Sequence, residues 1–137
     1  MQGKSVVLQL TDKSPINDSN YAKCAEIIVA HSKKNENKGS WFGGLSTSKI
    51  RGIYGYITNV YTRINTPEDF DVNISDLQYI KVKMAYESGR DKVVKEFIEN
   101  TALMNAIDNI ETYDQFILYC RYAESLVAYF KFYGGKE

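Results

Sequence analysis

Among the side chains of this sequence that could do chemistry, the most ordered set suits the holding of phosphate. Lys49, Tyr56 and Arg63 recur every seven residues along one flank of a helical arc, and Arg51 with Thr58 occupies the other flank. The run Gly43-Gly44-Leu45-Ser46-Thr47-Ser48-Lys49 leads into that arc. Backbone amides at a helix start, set beside three hydroxyls and an ammonium, can hold one phosphate of a nucleic-acid backbone. Ordinary hydroxyl capping of the helix accounts for the same residues equally well. The run lacks the GK[ST] ending and a preceding strand, so nucleotide hydrolysis is not expected. Catalytic groupings are missing elsewhere too. His31 is the one histidine, at the polar edge of a helix, and such a residue is ordinarily a boundary residue rather than a catalyst. No HExxH, GxSxG, paired CxxC or DxD-type cluster occurs, so the sequence predicts no enzyme activity, no metal and no cofactor.

Charge has to be grouped in space if it is to bind phosphate. The 137 residues carry no net charge, which taken alone argues against nucleic acid. The charges are segregated, however. Residues 33–63 hold six basic side chains (Lys33, Lys34, Lys38, Lys49, Arg51, Arg63) against one acid, Glu36. Residues 81–95 hold five (Lys81, Lys83, Arg90, Lys92, Lys95) against Glu87 and Asp91. Acid collects in 64–80 (Glu68, Asp69, Asp71, Asp76) and in 96–120, neither of which contains a base. That pattern permits a basic face on a neutral protein, and it equally describes solvated helix faces.

The elements that must position these residues read as helices. A composition 44% hydrophobic and 13% aromatic predicts one folded domain with a substantial core. Residues 1–18, with Val6, Val7, Leu8, Leu10 and Pro15, are expected to form an N-terminal arm, extended or disordered. Residues 19–137 are expected to form the domain. A first helix capped by Asp18 or Ser19 carries Tyr21, Cys24, Ala25 and Ile28 and ends near His31; a polar, glycine-rich loop over 33–45 follows. The second helix spans Thr47 to Ile64, and its Gly52 and Gly55 suggest close approach by a neighbouring backbone or a local distortion. Ser75 and Gln78 match a capping box for a third helix, which ends at Gly89. Its two apolar faces, Leu77/Ile80/Met84 and Tyr79/Val82/Tyr86, predict that it is sandwiched. Asp91 can cap a fourth helix carrying Val93, Val94, Phe97, Met104 and Ile107, and Thr112 with Gln115 makes a capping box for a fifth. No strand pairing is evident. The expected fold is all-α, a compact five-helix bundle with short loops. The tyrosines fall mostly on core stripes, with Tyr56 the one to watch for stacking. Cys24 and Cys120 lie far apart on apolar faces and read as reduced residues of a cytoplasmic protein; neither a signal peptide nor a membrane span is expected.

The fifth helix is apolar round most of its circumference, with Tyr119, Cys120, Ala123, Leu126, Val127 and Phe130 on one face and Leu118, Tyr122, Tyr129 and Tyr133 extending it. It must be buried centrally or shared with a second protein. Arg121 and Glu124, one turn apart there, are expected to have polar partners. The run from Cys120-Arg121-Tyr122 to Leu126-Val127-Ala128-Tyr129-Phe130-Lys131-Phe132-Tyr133-Gly134-Gly135-Lys136 resembles the C-terminal signature of the small helical subunit of type III-A CRISPR-Cas (Csm) effector complexes. Two more segments agree in order and spacing: Thr47-Ser48-Lys49-Ile50-Arg51, and Tyr79 to Asp91.

The resemblance implies a non-enzymatic subunit in antiviral defence, stacked in several copies along the CRISPR RNA and its target. Its neighbours would be further copies, the repeated backbone subunit and the large polymerase-like subunit. Sequence is read there by guide pairing, so this subunit need only contact phosphate backbone. Lys49 and Arg51 match the family's basic pair, Arg90 matches the arginine closing its glycine-containing turn, and Arg121, Lys131 and Lys136 fall in the C-terminal signature; Lys81 stands where many relatives have arginine. With Arg63 these make eight expected nucleic-acid contacts. Self-association is expected through the third and fifth helices, as a homodimer in isolation or a filament in the complex. A protein-only helical adaptor that self-associates without nucleic acid is the alternative.

Overall fold

The computed structural model describes residues 6–137 of the chain; of the expected N-terminal arm, residues 1–5 lie outside the described residues. The described chain is mostly helical, with more and shorter helices than the five expected and with one small sheet. In order it forms β1 (Val7–Gln9), β2 (Pro15–Asn17), α1 (Tyr21–Lys34), a 3₁₀ turn (Glu36–Lys38), α2 (Trp41–Gly44), α3 (Thr47–Tyr61), α4 (Pro67–Val72), α5 (Ser75–Arg90), α6 (Lys92–Thr101), a second 3₁₀ turn (Asn105–Asn109) and α7 (Tyr113–Phe132).

The sheet corrects the strictly all-α expectation. β1 and β2 pair antiparallel, Val7 opposite Asn17, Leu8 opposite Ile16 and Gln9 opposite Pro15. Strands of three residues are too short to show a clear alternation in sequence. Leu8, Leu10 and Ile16 are buried in the core. Three side-chain amides then take carbonyls of the first strand and of the residue after it: Asn105 donates to Leu10 O, Asn109 to Gln9 O at 2.7 Å and Gln115 to Val7 O at 3.0 Å.

Several helix boundaries shift for local reasons. The first helix starts after Asn20 rather than after Asp18 or Ser19 and runs on to Lys34. Asn20 makes no cap because its side-chain oxygen accepts from Asn17 N at 2.8 Å, inside the turn that leaves the hairpin. The loop expected over 33–45 contains the end of α1, a 3₁₀ turn and α2, with Trp41 and Phe42 buried. The Ser75/Gln78 capping box is not made, because Ser75 is already helical and Asp76 N and Leu77 N donate to Asn73 O and Ile74 O as α4 runs into α5. Gly89 lies inside α5, which ends at Arg90. The expected fourth helix stops at Thr101, followed by Ala102 in the left-handed region (φ 61°), and Ile107 belongs to the second 3₁₀ turn. Asp91 does cap α6, and Thr112 with Gln115 does form a capping box on α7.

The apolar fifth helix of the sequence is α7, the centre of the molecule. It packs against α1 and α3 along most of its length. Two of its tyrosines reach the end of α6, where the last carbonyls have no helical partner. Tyr119 donates to Leu103 O at 2.6 Å and Tyr122 to Thr101 O at 2.7 Å, both fully buried. Burial pushes both hydroxyls well above the ordinary tyrosine value, and pushes the Cys120 thiol up as well. Below about pH 10 the two tyrosines are protonated in folded and unfolded chains alike, and their contribution to stability is complete. Above it the unfolded tyrosines ionise while the buried ones cannot, so stability falls as pH rises, beginning somewhat lower for Cys120. Tyr122→Phe is expected to cost about 1–3 kcal/mol near neutral pH by orphaning a buried carbonyl. It should also flatten the alkaline decline. Urea midpoints near pH 7 and above about pH 10 check both; an alkaline slope equal to wild type would refute the burial account.

The chain's last segment closes back on α3. Gly135 N donates to Phe130 O and Gly134 N to Lys131 O, a Schellman motif with Gly134 at φ 87°. The Lys136 carbonyl then accepts from Thr47 N at 2.8 Å and Thr47 Oγ1 at 3.0 Å.

Candidate nucleic-acid interface

The start of α3 is occupied by the protein itself. Thr47 N is taken by the Lys136 carbonyl and Lys49 N by the Ser46 hydroxyl at 3.2 Å. Hydroxyl capping together with the returning tail therefore accounts for the Gly43–Lys49 run.

α3 runs antiparallel to both α5 and α7. Along α5, Lys49 faces Asp91, Tyr56 faces Glu87 and Arg63 faces Asp76; along α7, Thr47 meets Lys136 and Tyr61 meets Phe116. The beginning of α3 therefore meets the ends of α5 and α7. This geometry gathers Lys49, Arg51, Arg90, Lys131 and Lys136 at one end of the bundle. Lys131 and, more weakly, Arg51 hold the Glu137 carboxyl below its usual range. Arg63 lies at the other end of α3, fourteen residues or about 21 Å along the helix from Lys49. Lys81 lies away from this cluster, bonded to Asp108 of the second 3₁₀ turn at 2.8 Å. Arg121 sits midway along α7, beside a hollow of about 180 Å³ lined by Tyr54, Ile57, Tyr61 and Glu124 among others.

Five of the eight expected contacts form ion pairs within the chain: Lys49–Asp91 at 3.2 Å, Arg63–Asp76 at 3.2 Å, Lys81–Asp108, Arg90–Glu87 at 3.6 Å, and Lys131–Glu137. Arg51, Arg121 and Lys136 are exposed and make no ion pair among the described residues. Exposed pairs of this kind contribute about 0–1 kcal/mol, so a phosphate can replace the carboxylate at small cost. The Lys49–Asp91 pair is also structural. It holds the Asp91 carboxyl below its ordinary value while that carboxyl caps α6 through Val93 N and Val94 N.

Among the described residues, Arg121 and Glu124 do not have the polar partners expected of them; both are exposed. The apolar surface beside them is covered instead by tyrosines of α3. Tyr54 is packed against the core there, and burial raises its hydroxyl to about 12. Tyr56 donates to Glu87 Oε2 at 2.7 Å, which raises its pKa and ties α3 to α5. Gly52 and Gly55 lie on the exposed ridge of α3, where an added Cβ would meet nothing within 4 Å. Among the described residues no neighbouring backbone presses on them, and the helix is not broken there.

The structure also brings forward residues that the sequence reading assigned to the core. Tyr79, Val82 and Tyr86 are exposed, because α5 packs on α3 and α6 through its Leu77/Ile80/Met84 face alone. Lys83 stands beside Tyr79. Arg90, Lys92 and Lys95 line an open groove of about 600 Å³ between α5 and α6. The signal was the absence of any acid in the helical arc shared by Tyr79, Val82, Lys83, Tyr86 and Arg90. Among the described residues, no three of His, Cys, Asp or Glu come together as metal ligands, and no helix is long and apolar enough to cross a membrane.

Comparison with known proteins gives this surface a family. The profile of the Csm2 Type III-A family matches residues 23–136, which spans every helix from early α1 onward and leaves the hairpin outside. The CRISPR system Cms protein Csm2 of Streptococcus thermophilus is 38% identical over 122 residues, covering 89% of this chain and 98% of that protein. The protein of the same name from Enterococcus italicus is 37% identical over 126 residues, covering 85% and 89%. That of Mycobacterium tuberculosis is 39% identical over 124 residues, covering 85% and 94%. The resemblance carried by the Thr47–Arg51, Tyr79–Asp91 and C-terminal segments thus extends over almost the whole helical domain, and the chain belongs to the Csm2 family of type III-A CRISPR systems.

Proposed function

We propose that this chain is a non-enzymatic small subunit of a type III-A ribonucleoprotein, stacked in multiple copies and contacting the phosphate backbone of guide and target RNA. The observation that carries this reading is the convergence of Lys49, Arg51, Arg90, Lys131 and Lys136 on one end of the bundle, around the start of α3. Flexible point charges spread over a face suit backbone contact and read no bases. The low ridge at Gly52 and Gly55 lets a strand approach the α3 backbone closely.

Stacking is supported by the two ends of the bundle. Val72 is exposed at the end carrying Glu68, Asp69 and Asp71, whereas Phe132 is exposed at the end carrying the basic cluster. Contact between unlike ends of identical subunits is heterologous, and where the rotation does not close into a ring it propagates into a filament. Sedimentation of the isolated chain as a strict monomer at high concentration would count against it.

The test of backbone contact is the salt dependence of RNA binding. Arg51→Gln, Arg90→Gln and Lys136→Gln remove charge without disturbing the Lys49–Asp91 pair that supports the α6 cap. Each should weaken binding to unrelated RNA sequences alike and reduce the slope of log K against log salt by roughly 0.7–0.9. One copy covers few phosphates, so the comparison is clearest in the assembled complex, where several copies act together. A triple variant that assembles and holds RNA with unchanged affinity and slope would return these residues to the role of solvated helix faces.

A further inference from the structure

The outward face of α5 carries Tyr79, Val82 and Tyr86 at 57%, 61% and 61% exposure, one helical turn apart in succession. Lys83 and Arg90 lie on the same side, and the carboxylate beside them, Glu87, is paired with Arg90 and accepts from Tyr56. The charged groups are set against the rings. Lys83 Nζ is 5.2 Å from the centre of the Tyr79 ring and 5.8 Å from that of Tyr56, and the Arg90 guanidinium is 5.3 Å from that of Tyr86. The hydroxyls of Tyr79 and Tyr86 make no hydrogen bond among the described residues, in contrast to those of Tyr56, Tyr113, Tyr119, Tyr122 and Tyr133. Among the described residues, the polar contacts of these two tyrosines are therefore made by their ring faces alone.

We propose that this face of α5 is a stacking platform for unpaired bases of single-stranded RNA. Tyr79 and Tyr86 offer the ring surfaces, and Lys83 and Arg90 neutralise the phosphates beside them. Charge selects the occupant. A surface with two cations and two flat rings, its neighbouring acid Glu87 already engaged by Arg90 and Tyr56, suits an anionic chain of flat groups, and aromatic side chains interleaved with basic ones are how single strands are held without sequence preference. Seven residues separate the rings, about 10.5 Å along the helix against about 3.4 Å per stacked nucleotide, so each ring takes its own base. Lys83, between Tyr56 and Tyr79, joins this platform to α3. The inference rests on the RNA-binding reading above and extends it from phosphate to base.

The test uses the full chain at low salt with an unstructured oligouridylate and an abasic oligonucleotide of equal length. Tyr79→Ala/Tyr86→Ala should lose about tenfold or more in affinity for the oligouridylate. It should leave binding of the abasic strand and the salt slope unchanged, since no phosphate contact has been removed. Tyr79→Phe/Tyr86→Phe keeps the ring faces and should bind as wild type. An alanine pair that binds the oligouridylate as tightly as wild type overturns the proposal. So does equal loss on both strands, or absence of binding by the wild-type chain. Arg51→Gln/Lys136→Gln separates the two readings: if it changes neither affinity nor slope while the alanine pair loses the oligouridylate, stacking stands and the α3 track fails. If the alanine pair abolishes self-association in sedimentation with RNA affinity intact, the face is a protein contact and stacking is wrong.

Discussion

Trp41→Ala is expected to lower the stability of the chain by about 3–5 kcal/mol, the range for removing a large buried aromatic. Trp41 is almost fully buried on a four-residue helix that has no independent stability. Its ring stands edge-on to Phe97 of α6, 4.9 Å between centres, and lies near Phe130 of α7 at 6.4 Å. Its indole N–H donates to Asn100 Oδ1 at 3.1 Å. One side chain therefore joins α2, α6 and α7, and the hole left by alanine cannot collapse without moving two long helices. Urea denaturation followed by circular dichroism reads the loss. Because α2 is short and the long helices persist, the far-ultraviolet signal at low urea should stay near wild type while the midpoint falls; a midpoint within error of wild type would show that α2 is not part of the core.

Gly135→Ala should cost about 3 kcal/mol, at the upper end of the overpacking range. A Cβ at this position would stand 2.2–2.5 Å from three atoms of the Phe130 ring, and that ring is fully buried between Trp41 and Phe42. The ring has nowhere to go, so the tail must lift. Lifting it removes the Lys136 carbonyl from Thr47 N and uncaps the first turn of α3. At Gly134 the constraint is different: φ of 87° disfavours a side chain, but nothing lies within 4 Å. Gly134→Ala should therefore cost only about 1 kcal/mol. Thermal melts of the two variants side by side check the ranking, and a smaller loss at Gly135 than at Gly134 would contradict the clash.

The core was legible where burial imposes a period. The arc Ile50, Ile53, Ile57, Val60 on α3 and the broad apolar face of α7 both lie where the 3.6-residue repeat puts them. Caps were legible where a side chain has no competitor, as at Asp91 and Thr112; they failed at Asp18 or Ser19, where the turn leaving the hairpin delays the helix start until after Asn20, and at Ser75, where a preceding turn already supplies the partner. The same period that finds an apolar face does not say whether anything covers it. Tyr79, Val82 and Tyr86 share an arc as clean as that of Leu77, Ile80 and Met84, and only the placement of α3 and α6 decides which of the two is inside. For the candidate site, the identity of the basic residues was visible in the sequence and their pairing was not. Asp91, Asp76 and Asp108 lie in stretches distant from Lys49, Arg63 and Lys81, and helix packing alone brings them into contact.

The seat of the Lys136 carbonyl on Thr47 spans 89 positions of sequence. During synthesis α3 emerges long before the residue that completes its first turn, so that turn can close only once Lys136 has been made. A chain cut short before the Gly-Gly-Lys run would keep its helices and leave Thr47 N without its carbonyl partner.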